Sequence, residues 1–199
     1  RIHYDADPLA RELVLPVPGS KLSYSAASLL DRILSTNYLF YPSTWRIPLM
    51  ECVRSADVLH LHNMHGNYFN ILTIPRLMEQ KPVVWTFHDM WPFTGKCTWS
   101  FDCTRYSGDC GECPQLSKYP VLKRDTTSFH LRLKRRLFAG KKFIIITPSK
   151  WMQSHVAQSV LRDVPTVVIP SPYDSTKFFP EPKILARRRL GIPADKRVL

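Results

Sequence analysis

KPVVWTFHD, residues 81–89, gathers Val83, Val84, Trp85, Thr86 and Phe87 into one β-branched and aromatic run that stops on His88 and Asp89. Such a run predicts a buried strand from Val83 to Phe87. Upstream, DVLHLH (57–62) predicts another strand. Between the two, Asn67–Gln80 carries Phe69, Leu72, Ile74 and Leu77 with little charge and predicts the crossover helix, despite Pro75. Downstream, KKFIIIT (141–147) is continuously apolar after its lysines, as a strand covered on both faces should be. Ser149 is placed to cap a helix running through Trp151, Val156 and Val160, and Thr166–Ile169 forms a fourth strand. Strands and helices in this alternation predict a parallel α/β sheet.

The flanks are less regular. Ser25–Ser35 (SAASLLDRILS) reads as an amphipathic helix. Pro170–Pro182 is rich in Pro and Ser, which predicts a crossing between domains. ILARRRLG (184–191) predicts a short helix ended by Gly191, and DKRVL (195–199) the opening of a further strand. The expected organisation is a domain over residues 1–169, a crossing over 170–182 and the start of a second domain over 183–199.

With 199 residues, 44% hydrophobic and 22% charged, the chain has room for a real core and is not a disordered tract. It contains no apolar run of about eighteen residues, the length a membrane helix needs. RIHYDADPLARELVL lacks the pattern of a secretory signal, so a reducing compartment is expected, with Cys52 as a small buried hydrophobe. The net charge of +12 is uneven: residues 1–120 hold equal numbers of acidic and basic side chains, whereas 121–142 hold eight basic and one acidic. A basic stretch on a neutral body fits an anionic partner or a solvated helix face. Phe129, Leu133 and Leu137 fall on one face of that stretch; Leu131 and Phe138 do not.

Three groups of residues could carry chemistry. In an open parallel sheet ligands gather at the carboxyl ends of strands, where His88 and Asp89 stand. An imidazole there hydrogen-bonds a sugar hydroxyl and a carboxylate orients it, or His88 merely caps the strand. HLHNMHG (60–66) places His60 and His62 on one face of a strand and His65 beyond it. A metal would need further ligands, so His62, Asn63 and His65 are read as lining a polar pocket. Cys97, Cys103, Cys110 and Cys113 form the third group. Their CxxC pair, with Gly108 and Gly111 for turn freedom, suits a structural zinc; two disulfides or free thiols remain alternatives.

Together, ADVLHLHNMHGNYFN, KPVVWTFHDMWPFTGKC, the run ending CGECPQL, and ITPSKWMQ resemble a branch of the family 4 glycosyltransferases found in exopolysaccharide and colanic-acid-type clusters. In VVIPSPYDSTKFFP, Ser171, Pro172, Tyr173 and Asp174 stand where the family usually has N-P-[IV]-D, so Ser replaces Asn and Tyr the aliphatic residue. The resemblance implies a Rossmann-like parallel sheet, the N-terminal acceptor half of a two-domain GT-B fold. It implies that the first strand and its Gly-rich loop precede residue 1, and that the donor-binding half follows Leu199. It also implies a nucleotide-sugar donor, retention of configuration and no obligatory catalytic metal. His88 and Asp89 become the expected catalytic residues, with His62, Asn63, His65, Gly66, Ser149 and Lys150 as substrate-binding residues.

The expected partners are a nucleotide sugar, a saccharide or lipid-linked acceptor and an anionic membrane surface, with no nucleic acid. The expected location is cytoplasmic, peripheral on the inner face of the plasma membrane. Two other classes compete: a zinc-stapled basic nucleic-acid-binding module, and an interaction domain that kept the fold and lost the chemistry.

Overall fold

Strand pairing in the computed structural model, which describes residue 15 and residues 21–36, 38–66 and 68–198, follows chain order. Strands β1 (Leu59–His62), β2 (Val83–Thr86), β3 (Ile144–Thr147) and β4 (Thr166–Val168) pair in parallel, in the order β1-β2-β3-β4. The register sets His62 beside Thr86 and Thr86 beside Ile146. The carboxyl ends of the first three strands therefore lie along one edge, and whatever follows them in sequence shares that edge. Among the described residues five helices belong to the same unit: α1 (Lys21–Leu34), α2 (Glu51–Arg54), α3 (Ile74–Gln80), α4 (Thr127–Phe138) and α5 (Lys150–Val156). A contact boundary separates this unit, Arg1–Ile169, from Pro170–Leu199, which carries α6 (Lys183–Arg189).

The core forms where the central strands meet the helices. Trp85, Phe87 and Ile145 are buried, and the Trp85 ring meets Phe87 at 5.0 Å and Phe138 of α4 at 5.6 Å, both edge-on. That geometry is the favoured one for aromatic rings in a packed interior.

Several expected boundaries shift for local reasons. The crossover helix begins at Ile74, after a 3-10 turn over Ile71–Thr73 whose Leu72 N–H donates to the Asn70 side chain at 2.9 Å. Pro75 then sits in the first turn, where its missing N–H costs nothing. Asn67, the expected start, lies outside the described residues. The helix after Ser149 stops at Val156, short of Val160, where Ser159 Oγ accepts from Leu161 N at 3.1 Å and competes with helix continuation. In the second unit Gly191 ends α6 region at φ 67, but residues 195–198 carry no strand. The Arg187 guanidinium donates to the carbonyls of Ala194 and Lys196 instead, at 3.0 and 2.8 Å.

One burial expectation is corrected. Cys52 is exposed, because it lies on the outer side of the single turn α2, whose one buried side chain is Val53. Helix α1 buries Ala27 and Asp31 while Leu22, Leu29, Leu30, Ile33 and Leu34 are exposed. Asp31 is useful inside because its carboxylate accepts from Tyr38 N at 2.9 Å and Thr36 Oγ1 at 2.6 Å, tying down the chain after the helix. Helix α4 packs through Thr127, His130, Leu131, Lys134 and Phe138, leaving Phe129 exposed and Leu133 and Leu137 half-buried.

Candidate functional site

At the end of β1 the backbone turns left-handed at Asn63 (φ 43) and again at Gly66 (φ 103), a conformation that favours glycine. The Tyr68 hydroxyl donates to the Asn63 carbonyl and His65 N does so at 2.7 Å, which fixes the turn. This bend carries the His65 ring back over the sheet edge, between Tyr38 at 6.2 Å and Trp91 at 5.1 Å. There His65 Nε2 meets Asp89 Oδ2 at 2.7 Å, while Asp89 Oδ1 accepts from Trp91 N at 2.9 Å. Both carboxylate oxygens of Asp89 are thus committed to bracing the loop after β2.

His62 and His88 meet outside this brace. His62 Nδ1 lies 2.8 Å from His88 Nε2, and the rings stack at 5.2 Å. His60 approaches His62 from the other side, with ring centroids 4.1 Å apart, and its Nε2 bonds Thr86 Oγ1 at 2.8 Å. Partial burial, then the His60 and His88 rings, holds His62 below the usual imidazole range. Neutral His62 can donate to or accept from His88, whose own ring is exposed and keeps its second nitrogen for a ligand.

Of the substrate-binding residues expected from sequence, His62 and His65 join His88 and Asp89 in this cluster, while Asn63 and Gly66 shape the turn. Ser149 and Lys150 follow the end of β3, the next strand along the same edge. Ser149 Oγ accepts from Met152 N at 3.2 Å as the cap of α5, and Lys150 is exposed in the first turn. Cys97, Cys103, Cys110 and Cys113 are free thiols that line one cavity. Burial pushes Cys97 and Cys110 up to about 11. Among the described residues no three His, Cys, Asp or Glu side chains stand as a finished metal site.

Two features of the edge carried no signal in the sequence. Lys134 of α4 is fully buried, with its ammonium 3.8 Å from the Trp91 ring centre and donating to the Trp91 and Thr94 carbonyls. It clamps the loop bearing Asp89 from within. The half-exposed indoles of Trp99 and Trp151 stack at 4.6 Å and 12°. Behind them His155 packs on Trp151 at 4.2 Å and meets Tyr106 Oη at 2.5 Å, and Met90 N donates to Thr98 O at 2.9 Å, tying the loop segment that carries Trp99 to the His88–Asp89 turn.

Parallel strands with polar side chains collected beyond their carboxyl ends define an α/β protein of the class in which ligands gather at that edge. Among the described residues no helix is long and apolar enough to cross a membrane. The model of Glycosyltransferase Family 4 matches residues 15–177, and the chain belongs to that family. The parallel sheet corresponds to the N-terminal GT-B-like region of the family. A putative colanic acid biosynthesis glycosyl transferase, WcaC, of Escherichia coli (strain K12) is 36% identical over 88 residues, 41% of this chain and 22% of the relative. The chain spans about a fifth of the length of that relative. No solved structure matches it.

Proposed function

We propose that the full-length protein is a retaining glycosyltransferase of polysaccharide biosynthesis, and that this chain supplies the acceptor-side wall of its cleft. The donor is a nucleotide sugar and the acceptor a saccharide carried on lipid. On this reading residues 1–169 form the acceptor-side domain, 170–182 the crossing, and 183–199 the start of the donor-binding domain. The family and the colanic-acid relative support the reaction class. The observation that carries the site is the His62–His88 hydrogen bond beside the His65–Asp89 brace.

On this reading the residues have separate tasks. Asp89 spends both oxygens on His65 and the Trp91 amide, so it positions the loop and does not act as a base. His88 presents its remaining nitrogen to a sugar hydroxyl and adds polarity beside the positive charge that develops at the anomeric carbon. Asn63, Gly66, Ser149 and Lys150 form the rim along which substrate lies, and the Trp99–Trp151 stack offers an apolar face to a sugar ring. No metal is required for these steps.

The test is His88→Ala in the full-length enzyme, with activity and melting temperature measured on one preparation. Loss of one such group costs about 10²-fold in rate, roughly 2.7 kcal/mol, with the fold intact. Activity that merely tracks the folded fraction would leave His88 a structural cap. The 199-residue chain alone is expected to transfer no sugar above a heat-killed control.

A further inference from the structure

Cys97, Cys103, Cys110 and Cys113 come from a loop with almost no regular structure, yet all four line one cavity of about 20 Å³, together with Lys96 and Tyr106. That is room for one water-sized sphere or one ion. The CxxC pair enters through three successive left-handed residues, Cys110 (φ 55), Gly111 (φ 83) and Glu112 (φ 44). Two of these are not glycine, so the turn is strained and must be imposed by its surroundings. The restraints are explicit: Gly111 N donates to Thr127 Oγ1 at 3.0 Å and Cys113 N to Asp125 Oδ2 at 2.6 Å.

Two buried ammonium groups flank the thiols. Lys96 and Lys134 are each 1% exposed. Lys96 Nζ donates to the carbonyls of Lys118 and Pro120, both at 2.7 Å, and Lys134 Nζ to those of Trp91 and Thr94. Among the described residues neither forms an ion pair with a carboxylate. The ionisable groups acting on Lys96 are Cys97, Cys113 and Asp125; those acting on Lys134 are Cys110, Asp89 and Cys97. A buried cation without a paired counter-charge is costly, and between them Lys96 and Lys134 lie near the sulfurs of Cys97, Cys110 and Cys113.

We propose that the four cysteines bind one zinc ion as a tetrathiolate centre, and that Lys96 and Lys134 balance its charge. Zinc displaces four thiol protons to solvent, and four thiolates on a divalent ion leave two net negative charges, matched by the two lysines. Binding draws the sulfurs to about 2.3 Å from a common centre. Two disulfides would require an oxidant and would leave both ammonium groups uncompensated. The centre staples the loop that follows His88 and Asp89, and it is independent of the catalytic reading.

The test is metal analysis of the full chain purified under reducing conditions, followed by cobalt substitution. One zinc per chain is expected, with a thiolate-to-cobalt charge-transfer band that zinc abolishes. Cys110→Ser should lose the band and Cys52→Ser should keep it. Lys96→Gln and Lys134→Gln retain a donor for the carbonyls and remove the charge. Each is expected to weaken zinc binding about 10- to 100-fold, the usual range for groups outside the ligand set, in the fraction that circular dichroism shows to be folded. Four reduced thiols with no bound zinc or cobalt would overturn the centre, as would two native disulfides by mass spectrometry. Unchanged affinity in both lysine variants would overturn the charge-balancing role, and Lys96→Gln alone decides it if Lys134→Gln does not fold.

Discussion

His62 and His88, last residue of one strand and second residue past the end of its neighbour, share a hydrogen bond of 2.8 Å across the sheet edge. The in-register pairing of His62 with Thr86 makes this possible, because a slip of one residue would turn His62 to the other face. On the proposed reading of the site, His62 positions His88. His62→Ala in the full-length enzyme is expected to lower kcat about tenfold, less than His88→Ala, since it removes an orienting hydrogen bond and not the group itself. Ring ¹⁵N resonances of His88 should shift in the same variant while the melting temperature holds. Unaltered His88 resonances and an unaltered kcat would show that the two rings are neighbours only.

Gly95 lies where the loop after β2 passes over the start of α4, and a Cβ there would stand 2.5 Å from the Thr127 carbonyl oxygen and 2.8 Å from Thr127 Cβ. The obstacle is backbone at a helix start, which cannot step aside as a flexible side chain would. Gly95→Ala is expected to destabilise the fold by about 1–3 kcal/mol, the range for overpacking a filled interior. Gly108→Ala is the control, since its Cβ would meet nothing nearer than the Arg105 carbonyl oxygen at 3.7 Å. Equal urea midpoints for the two variants would contradict this packing.

His130 supplies a pH dependence. Its ring is 2% exposed, and burial first, then the Lys134 charge, pushes it down to about 4, against a hydrogen bond involving the Ser35 backbone. The folded state thus resists a proton that the unfolded chain accepts at about 6.5. Stability is fully present above that value and declines as pH falls from about 6.5 towards about 4, because the unfolded state gains protons first. Urea midpoints should drop across this window, and His130→Gln should flatten the drop. A profile equally steep in the variant would assign the loss to other groups.

The sheet was legible because its strands are short β-branched runs whose direction follows from the helices between them. KPVVWTFHD alone placed the carboxyl edge, and with it His88 and Asp89. What periodicity could not convey is which partner satisfies a polar group in the interior. Nothing in SFHLRLKRRLF distinguishes Lys134 from its exposed neighbours, since its burial is set by carbonyls some forty residues earlier in the chain. Likewise Asp31 occupies the buried side of α1 because the following loop needs an acceptor, whereas the apolar pattern alone would have turned the leucines inward. The cavity shared by the four cysteines is of this kind too: the spacing named the residues, and only the folded loop brings them together.

The basic segment is expected to dock on anionic lipid, where a lipid-carried acceptor would reside. Burial removes Lys134 from that surface, and Lys141 pairs with Glu79. Arg135 bonds Asp109, which leaves Lys123, Arg124, Arg132, Arg136 and Lys142 exposed without an ion pair among the described residues. Phe129 is 49% exposed on the same helix as Arg132 and Arg136, an aromatic beside two arginines. Each basic residue near such a surface contributes about 1 kcal/mol, so five support weak, reversible binding. Sedimentation with phosphatidylglycerol vesicles should be strong at low salt and fall as the Debye length shrinks. Arg132→Glu combined with Arg136→Glu should abolish it without changing the melting temperature, because neither side chain is buried. Binding indifferent to lipid charge and to salt would mean that these side chains are merely solvated.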